Sequence, residues 1–462
     1  MTALSRHGTA LHRRSSEKPV PSIDWFSFVN KVAERLWKRL KMSITSPGYK
    51  HSDQDYWRVL VWRQMNNVSI AEAADELNET LIDIARDGRG RKPREPKLLG
   101  GKWPRHERMA PNASQVNAFL RRMPPALKSR LVDTIFKAQI DLCLEMGLIT
   151  KNITVYFDFT KDDYYGKDVF PANTCITNVH DGRGTNKARK HAAMMLSSGS
   201  TWLFAGVVLV KRGLAKELYV GTMVQRLVNW GFSIKNVYGD REISTFDVIA
   251  TLVNKQLPYT GTMKKTIPVK RIVDEFLKGK VHAVVPHALT PHQGSRAASG
   301  PVPVHIIMKV DPGKHAKDLR RQLRLGKVTF ADARKHVHVF ITTSTPPRQK
   351  EKLTRWGMRL VQEFKKRWRI ETGFRDCESF APASHARDNN TKTFHVALGM
   401  ISFNAWMIQR VMCKRLRDVP GTTKRGPTLR RFCRTASKAH VHGKNSTDSS
   451  IIGAISSVLA TI

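Results

Sequence analysis

Hydrophobic and polar positions change period several times along this chain, and each change marks a boundary. Residues 1–22 are polar and basic with no period, which reads as a flexible basic tail. From about Ile23 to Arg86 the apolar positions recur at helical spacing. Within that stretch Trp57–Met65 is followed by a tight turn and by Ser69 and Glu72, a capping-box signature that opens a second helix. Helix, turn and capped helix suit a DNA-reading unit or a plain helical bundle. The acidity of the second helix, with Glu72, Asp75 and Glu76, favours the bundle. A helix over about Ser114–Met146 closes this all-α N-terminal region.

The period then changes to that of strands. Ile153–Thr160, rich in β-branched and aromatic residues, reads as a strand covered on both faces. Further strands are expected at Thr174–Val179 and Trp202–Val210, then a helix at about Leu214–Trp230 and a strand ending at Asp240. Ser244 with Asp247 three residues later marks the start of a helix through about Asn254. Three strands with short connections and a helical crossover to another strand give the order of a ribonuclease H-like α/β fold with a mixed sheet. From about Leu257 the helical period stops. The runs Val281–Val285, Val302–Val310 and Val337–Ile341 suggest a β-rich insertion, after which a long helix from about Arg348 carries Glu371. The pattern divides the chain into a tail (1–22), a helical DNA-binding region (23–150) with a basic loop (86–108), and a catalytic core in two parts (151–256 and 346–410). The insertion (257–345) separates those two parts, and a basic C-terminal tail (411–462) follows.

Charge narrows the class of partner. The 79 Lys and Arg against 38 Asp and Glu give a net charge of +41, which calls for a polyanion, and double-stranded DNA is the first candidate. An anionic membrane is the lesser alternative, because the longest clean apolar run, Trp202–Val210, is half the length of a span. The opening residues do not read as a signal peptide. Five scattered cysteines without a Cys-x-x-Cys pair argue against a disulfide framework and a zinc site and fit a reducing compartment, and with DNA as partner the expected setting is cytoplasmic and nucleoid-associated. His336 and His338 share a strand face but lack a third ligand nearby. Arg89, Arg91, Lys92 and Arg94 stand in a Gly- and Pro-rich loop suited to following phosphates without reading sequence. Asp87–Gly90 and Asp181–Gly184 repeat Asp-Gly-Arg-Gly, yet neither lies between a strand and a helix, so both read as basic turns.

Three carboxylates carry the candidate chemistry. Glu371 lies in a run of bases and aromatics from Phe364 to Arg375, and on one helix Phe364, Arg367, Glu371, Phe374 and Glu378 would share a stripe. Mixed in charge and aromatics, that stripe makes a poor core face. The plain alternative is a solvated helix with an Arg367–Glu371 pair worth roughly 0.2–0.5 kcal/mol. Asp158 sits inside the first covered strand, where an ionised carboxylate is costly unless paired or metal-bound. Asp240 ends a strand, where open α/β sheets place their ligands. Either Asp alone could be a turn or capping residue; the three together point to a site.

Three blocks, Asp158-Phe159-Thr160 with Tyr164-Tyr165-Gly166, Gly239-Asp240-Arg241-Glu242 with Ser244-Thr245, and Arg367-Trp368-Arg369-Ile370-Glu371, resemble DDE transposases of prokaryotic insertion sequences. The resemblance is to the insertion-sequence-four type with a β-strand insertion before the final Glu, its archaeal branch included, and covers about residues 55–408. It implies that Asp158, Asp240 and Glu371 are the catalytic, metal-holding triad. Arg367, Arg241, Trp368, Arg369 and Arg375 would contact DNA, and a homodimer would act on transposon ends and target DNA. The family signature around the Glu is Tyr, two residues, Arg, three residues, Glu, six residues, Lys. Arg367 and Glu371 match it, whereas Phe364 and Glu378 stand where Tyr and Lys are expected. Residues 257–345 also lack the Trp on which a hairpin intermediate leans in some relatives.

The chemistry follows from general principles. Cleaving a phosphodiester requires charge neutralisation at the attacking and leaving oxygens, which two Mg²⁺ about 3.5–4 Å apart supply, with Mn²⁺ as a substitute. Three converging carboxylates suffice to hold them. A ribonuclease H-like nuclease would cleave without joining, and a transposase-derived regulator would bind and do neither. The intact acids disfavour the regulator, and the large N-terminal region disfavours the simple nuclease.

Overall fold

The computed structural model describes residues 25–40, 51–87, 110–164, 176–178, 187–211, 213–291, 294–295, 300–378, 380, 388–417, 456–458 and 460–461. Helices α1 (Trp25–Leu40), α2 (Asp53–Asn66), α3 (Ile70–Asp87), α4 (Ala113–Arg122) and α5 (Pro125–Glu145) open it. The tight turn between α2 and α3 uses Asn67 at φ 55°, and Ser69 Oγ accepts the Glu72 N–H at 3.1 Å, the cap read from the sequence. Tyr56, Trp57 and Leu60 of α2 are buried, and the Trp57 ring meets Phe394 edge-on at 5.7 Å, so this helix pair is built into a bundle. The single helix expected over Ser114–Met146 is two. Pro124 and Pro125 break it, because a residue before proline is driven out of helical geometry and proline itself cannot donate.

The mixed α/β class holds, around one sheet. Its strands are β1 (Asn152–Asp163), β2 (Ile176–Asn178), β3 (Lys187–Ser198), β4 (Thr201–Leu209), β5 (Ser233–Gly239), β6 (Tyr259–Thr262), β7 (Val284–Leu289), β8 (Val302–Val310) and β9 (Val337–Thr342). They run in the order β2-β3-β1-β5-β6-β9-β8-β7, with β4 pairing the same edge of β3 beyond β2. β1, β5 and β6 are parallel to one another, and β3 is antiparallel to β1. Helices α6 (Lys216–Asn229) and α7 (Phe246–Asn254) supply the crossovers from β4 to β5 and from β5 to β6. β3 was not foreseen: Lys187-Ala188-Arg189-Lys190-His191-Ala192-Ala193 lacks strand-forming residues. It is nonetheless buried from Ala188 to Met195 between neighbouring strands, so tertiary pairing overrides local preference. A two-residue turn with Gly199 at φ 60° joins it to β4, a conformation that suits glycine.

Between β6 and α11 (Lys350–Lys365) lie β7, β8 and β9 together with α8 (Ile267–Lys278), α9 (Ala316–Arg324) and α10 (Phe330–Lys335). The expectation of a β-rich stretch without helical period is therefore corrected. Three short helices pack Val269, Val273, Leu277, Leu319 and Ala333 against Ile306, Met308 and Val339 in a second core, while the strands extend the main sheet. The expected long helix from Arg348 is also two, α11 and α12 (Trp368–Glu378), with Lys366 and Arg367 in the turn between them. Finally α13 (Asn389–Arg417) crosses β4 and α5. Its buried Asn404 donates to the Phe204 carbonyl and accepts the Phe204 N–H, both at 2.8 Å, and so pairs a backbone that β4 would otherwise leave open. The sequence after 410 is not simply a tail. α13 continues to Arg417, and Val458 is buried in the main core. Residues 1–22, the loop residues Arg89, Arg91, Lys92 and Arg94, and 418–455 lie outside the described residues.

Candidate active site

Parallel pairing of β1 and β5 ends with Phe157 opposite Gly239, so the next residues, Asp158 within β1 and Asp240 just after β5, stand side by side where the two strands part. Gly239 in turn faces Gly261 of β6. A Cβ at 239 would lie 2.7 Å from the Tyr259 hydroxyl and 2.9 Å from Ile243 Cγ2, so only glycine lets these strands approach just before Asp240. The turn that follows is held by Asp240 itself. Its Oδ1 accepts the N–H groups of Glu242 and Ile243 at 2.9 and 3.0 Å. The helix cap falls one residue later than expected: Thr245 is the N-cap of α7, and Ser244 Oγ donates to the Asp240 carbonyl at 2.8 Å.

Glu371 comes from the first turn of α12, and Arg367 joins it to Asp158. Arg367 Nη1 donates to Asp158 Oδ2, and Nη2 donates to Glu371 Oε1 at 2.6 Å. The break before α12 makes this possible, because tight i to i+3 bonds from Arg367 to Phe364 and from Ile370 to Arg367 turn the chain there. Breaking the helix also splits the single stripe read from the sequence. Phe364 is core, with its ring 5.3 Å from Phe340 and 6.4 Å from Tyr238, so it does not stand in for a tyrosine reaching toward DNA. Glu378, the last residue of α12, is exposed.

Asp158 is only 7% exposed. Burial pushes its carboxyl up to about 6; the Arg367 guanidinium opposes the rise, and the negative fields of Asp240 and Glu371 add to it. Asp158 thus lies within the fields of both other acids. Among the described residues, no three Asp, Glu, His or Cys side chains converge closely enough to hold a metal as they stand. Arg367 occupies a cation's position between Asp158 and Glu371, with its Nε buried and without a partner. The donor set, all carboxylate oxygens, suits a hard ion such as Mg²⁺, and Arg367 would have to release its acids for such an ion to bind.

The other expected contacts diverge. Arg241 is exposed beside Asp240, and Trp368 is 64% exposed one turn before Glu371. Arg369 lies 4.5 Å over the Trp202 ring, anchoring α12 to β4, while Arg375 is exposed on the same helix. His336 and His338 both bond Asp311, a pairing on the inserted unit. Sequence reasoning missed Lys190 and Lys216. Lys190 pairs with the Glu242 carboxylate, Lys216 donates to the Glu242 carbonyl at 2.8 Å, and both stand over the Phe159 ring. Lys190 lies in the unforeseen β3, so no local pattern pointed to it.

No protein-family model matches the chain, and no curated protein sequence matches it. Among solved structures it is similar to a piggyBac transposase synaptic complex with hairpin DNA, at 12% identity and a TM-score of 0.44, covering 94% of this chain and 82% of that one. It is also similar to a Drosophila P element transposase strand transfer complex, at 9% identity and a TM-score of 0.21, covering 84% of this chain and 97% of that one. Both scores lie below the level at which a shared fold follows. No helix of the described residues is long and apolar enough to cross a membrane.

Proposed function

We propose that this chain is a DDE transposase: it cleaves DNA at transposon ends and transfers the freed 3′ strand into target DNA. The observation that carries the reading is the meeting of Asp158 and Asp240 where the parallel pairing of β1 and β5 ends, with Glu371 tied to Asp158 through Arg367. The order β4-β3-β1-β5-β6, with β3 antiparallel, supports a ribonuclease H-like core. The unit inserted between β6 and α11, ahead of the Glu, supports the insertion-sequence-four type.

Asp158, Asp240 and Glu371 would hold two Mg²⁺, or Mn²⁺ in their place, which would supply charge neutralisation at the attacking and leaving oxygens. The protein's own groups do the rest. The Asp240 turn fixes one carboxylate by two backbone N–H groups, and Arg367 orients the other two. Arg367 is also a bidentate donor able to turn to a phosphate when its acids are otherwise balanced. The net charge of +41 supports duplex DNA as the partner, and a homodimer on DNA in the nucleoid follows from the family resemblance.

The test uses the purified full chain with Mg²⁺ and a supercoiled plasmid bearing the inverted repeats that flank its coding sequence. Cleavage at the repeat ends followed by joining to target DNA is the expected result. Cleavage without joining would make the chain a nuclease, and binding without either would make it a regulator.

A further inference from the structure

Beside Asp240 lies a cavity of about 680 Å³ between the turn after β5 and the turn after β6. Lys216, Arg241 and Lys264 line it, as does Thr266 at the N-cap of α8. The carboxylates of Asp240 and Glu242 also line it, Glu242 being paired with Lys190 and Lys216, and Phe246, Met263, Leu289 and Ile341 give it an apolar wall on one side. Four features make this an anion site. First, Arg241 and Lys264 are exposed and have no carboxylate partner among the described residues. Second, Arg241 also acts on Lys265, whose ammonium is held below its usual range by burial and then by that like charge, so positive charge is concentrated here. Third, the Thr266 hydroxyl makes no capping bond, which leaves it and the positive end of the twelve-residue α8 facing the same space. Fourth, the apolar wall lowers the local dielectric and strengthens attraction for an anion.

The strand order says which anion. β1, β5 and β6 are parallel neighbours, and a row runs from Asp158, where the β1–β5 pairing ends, to Asp240 just after β5 and on to the Thr262–Lys264 turn at the end of β6. Each step along such a row is about 4.8 Å. We propose that the cavity holds the backbone phosphate next to the scissile one, on the β6 side, gripped by Arg241, Lys264 and the start of α8. The inference rests on the transposase reading for the identity of the strand. It gives the β6–α8 turn a task in aligning the substrate, since a phosphate fixed one strand away from Asp240 sets the register of the reacting bond.

The experiment measures binding of a 20-base-pair duplex of arbitrary sequence to the full chain by fluorescence anisotropy, in EDTA, over a series of salt concentrations. Arg241→Gln with Lys264→Gln is compared with wild type and with Arg321→Gln with Arg324→Gln, a control that removes two exposed charges from α9. Each lost phosphate contact lowers the slope of log K against log salt by roughly 0.9. The account expects a slope lowered by about that amount for the cavity pair and unchanged for the control pair. A wild-type slope for the cavity pair, or an equal fall for both pairs, overturns the proposal. Because no metal is present and no bond is cut, failure here leaves the three-carboxylate chemistry standing, and loss of cleavage elsewhere leaves this site standing. A wild-type chain that does not bind the duplex contradicts the transposase reading itself.

Discussion

Arg367 is the side chain on which the site turns, because it is the cation that lets buried Asp158 and Glu371 stand together. Arg367→Ala would leave those carboxylates without their partner, a loss of about 3–5 kcal/mol when a buried pair is broken from one side. The expected outcome is a lower melting temperature in EDTA, partly restored by Mg²⁺; equal melting of variant and wild type in EDTA would show that the pair is not formed. Asp158 adds a pH dependence whose sign can be worked out. Its folded carboxyl is raised from 3.8 to about 6, so between those values the folded state holds more protons than the unfolded state, and stability falls as pH rises through that window. That rise corresponds to about 3 kcal/mol. Asp158→Asn, which mimics the protonated form, should therefore gain stability over wild type as pH climbs from 4 to 6.5 without divalent ions, followed by denaturant unfolding. A difference that stays constant across that range would contradict the burial argument. The Arg367–Glu371 pair was legible in the sequence from its four-residue spacing, but the second hand on Asp158 was not, since 209 residues separate the partners.

At the scale of elements, what could be read depended on whether local pattern or distant packing decided the outcome. β1, β4, β5, α6 and α7 follow their sequence patterns closely, and Asp240 at a strand's end came with them. β3 was illegible because its strand state is imposed by β1 and β4 on a stretch of Lys, Arg, His and Ala. The break between α11 and α12 carries no Gly or Pro; it arises where Phe364 is drawn into the core and Arg367 toward two acids. That difference changes the reading of position 364 from a DNA contact to a core residue. Phe364→Ala should then cost about 3–5 kcal/mol in unfolding free energy, as other core phenylalanine deletions do, while leaving duplex affinity of the folded protein unchanged. A several-fold loss of affinity with little change in stability would restore the DNA-contact reading. Similarly, α8, α9 and α10 went unseen because short helices between strands offer few periods to count.

For the whole molecule, charge and architecture divide the work. On the proposed reading the excess of Lys and Arg would supply long-range attraction to DNA, whereas the sheet would fix the chemistry where β1 and β5 part. The inserted unit lengthens that sheet through β9, β8 and β7 and keeps its own core, so it can be accommodated without disturbing the acids. The central claim is that Asp158, Asp240 and Glu371 form one metal-dependent site, and the most direct measurement compares Asp158→Asn, Asp240→Asn and Glu371→Gln with wild type on the same repeat-bearing plasmid in Mg²⁺. Each variant should fold, bind the plasmid within a few-fold of wild type and cut it at least a hundredfold more slowly, in the range seen when one part of a catalytic group is removed. Cleavage at the wild-type rate by any one folded variant would take that carboxylate out of the site and contradict the account.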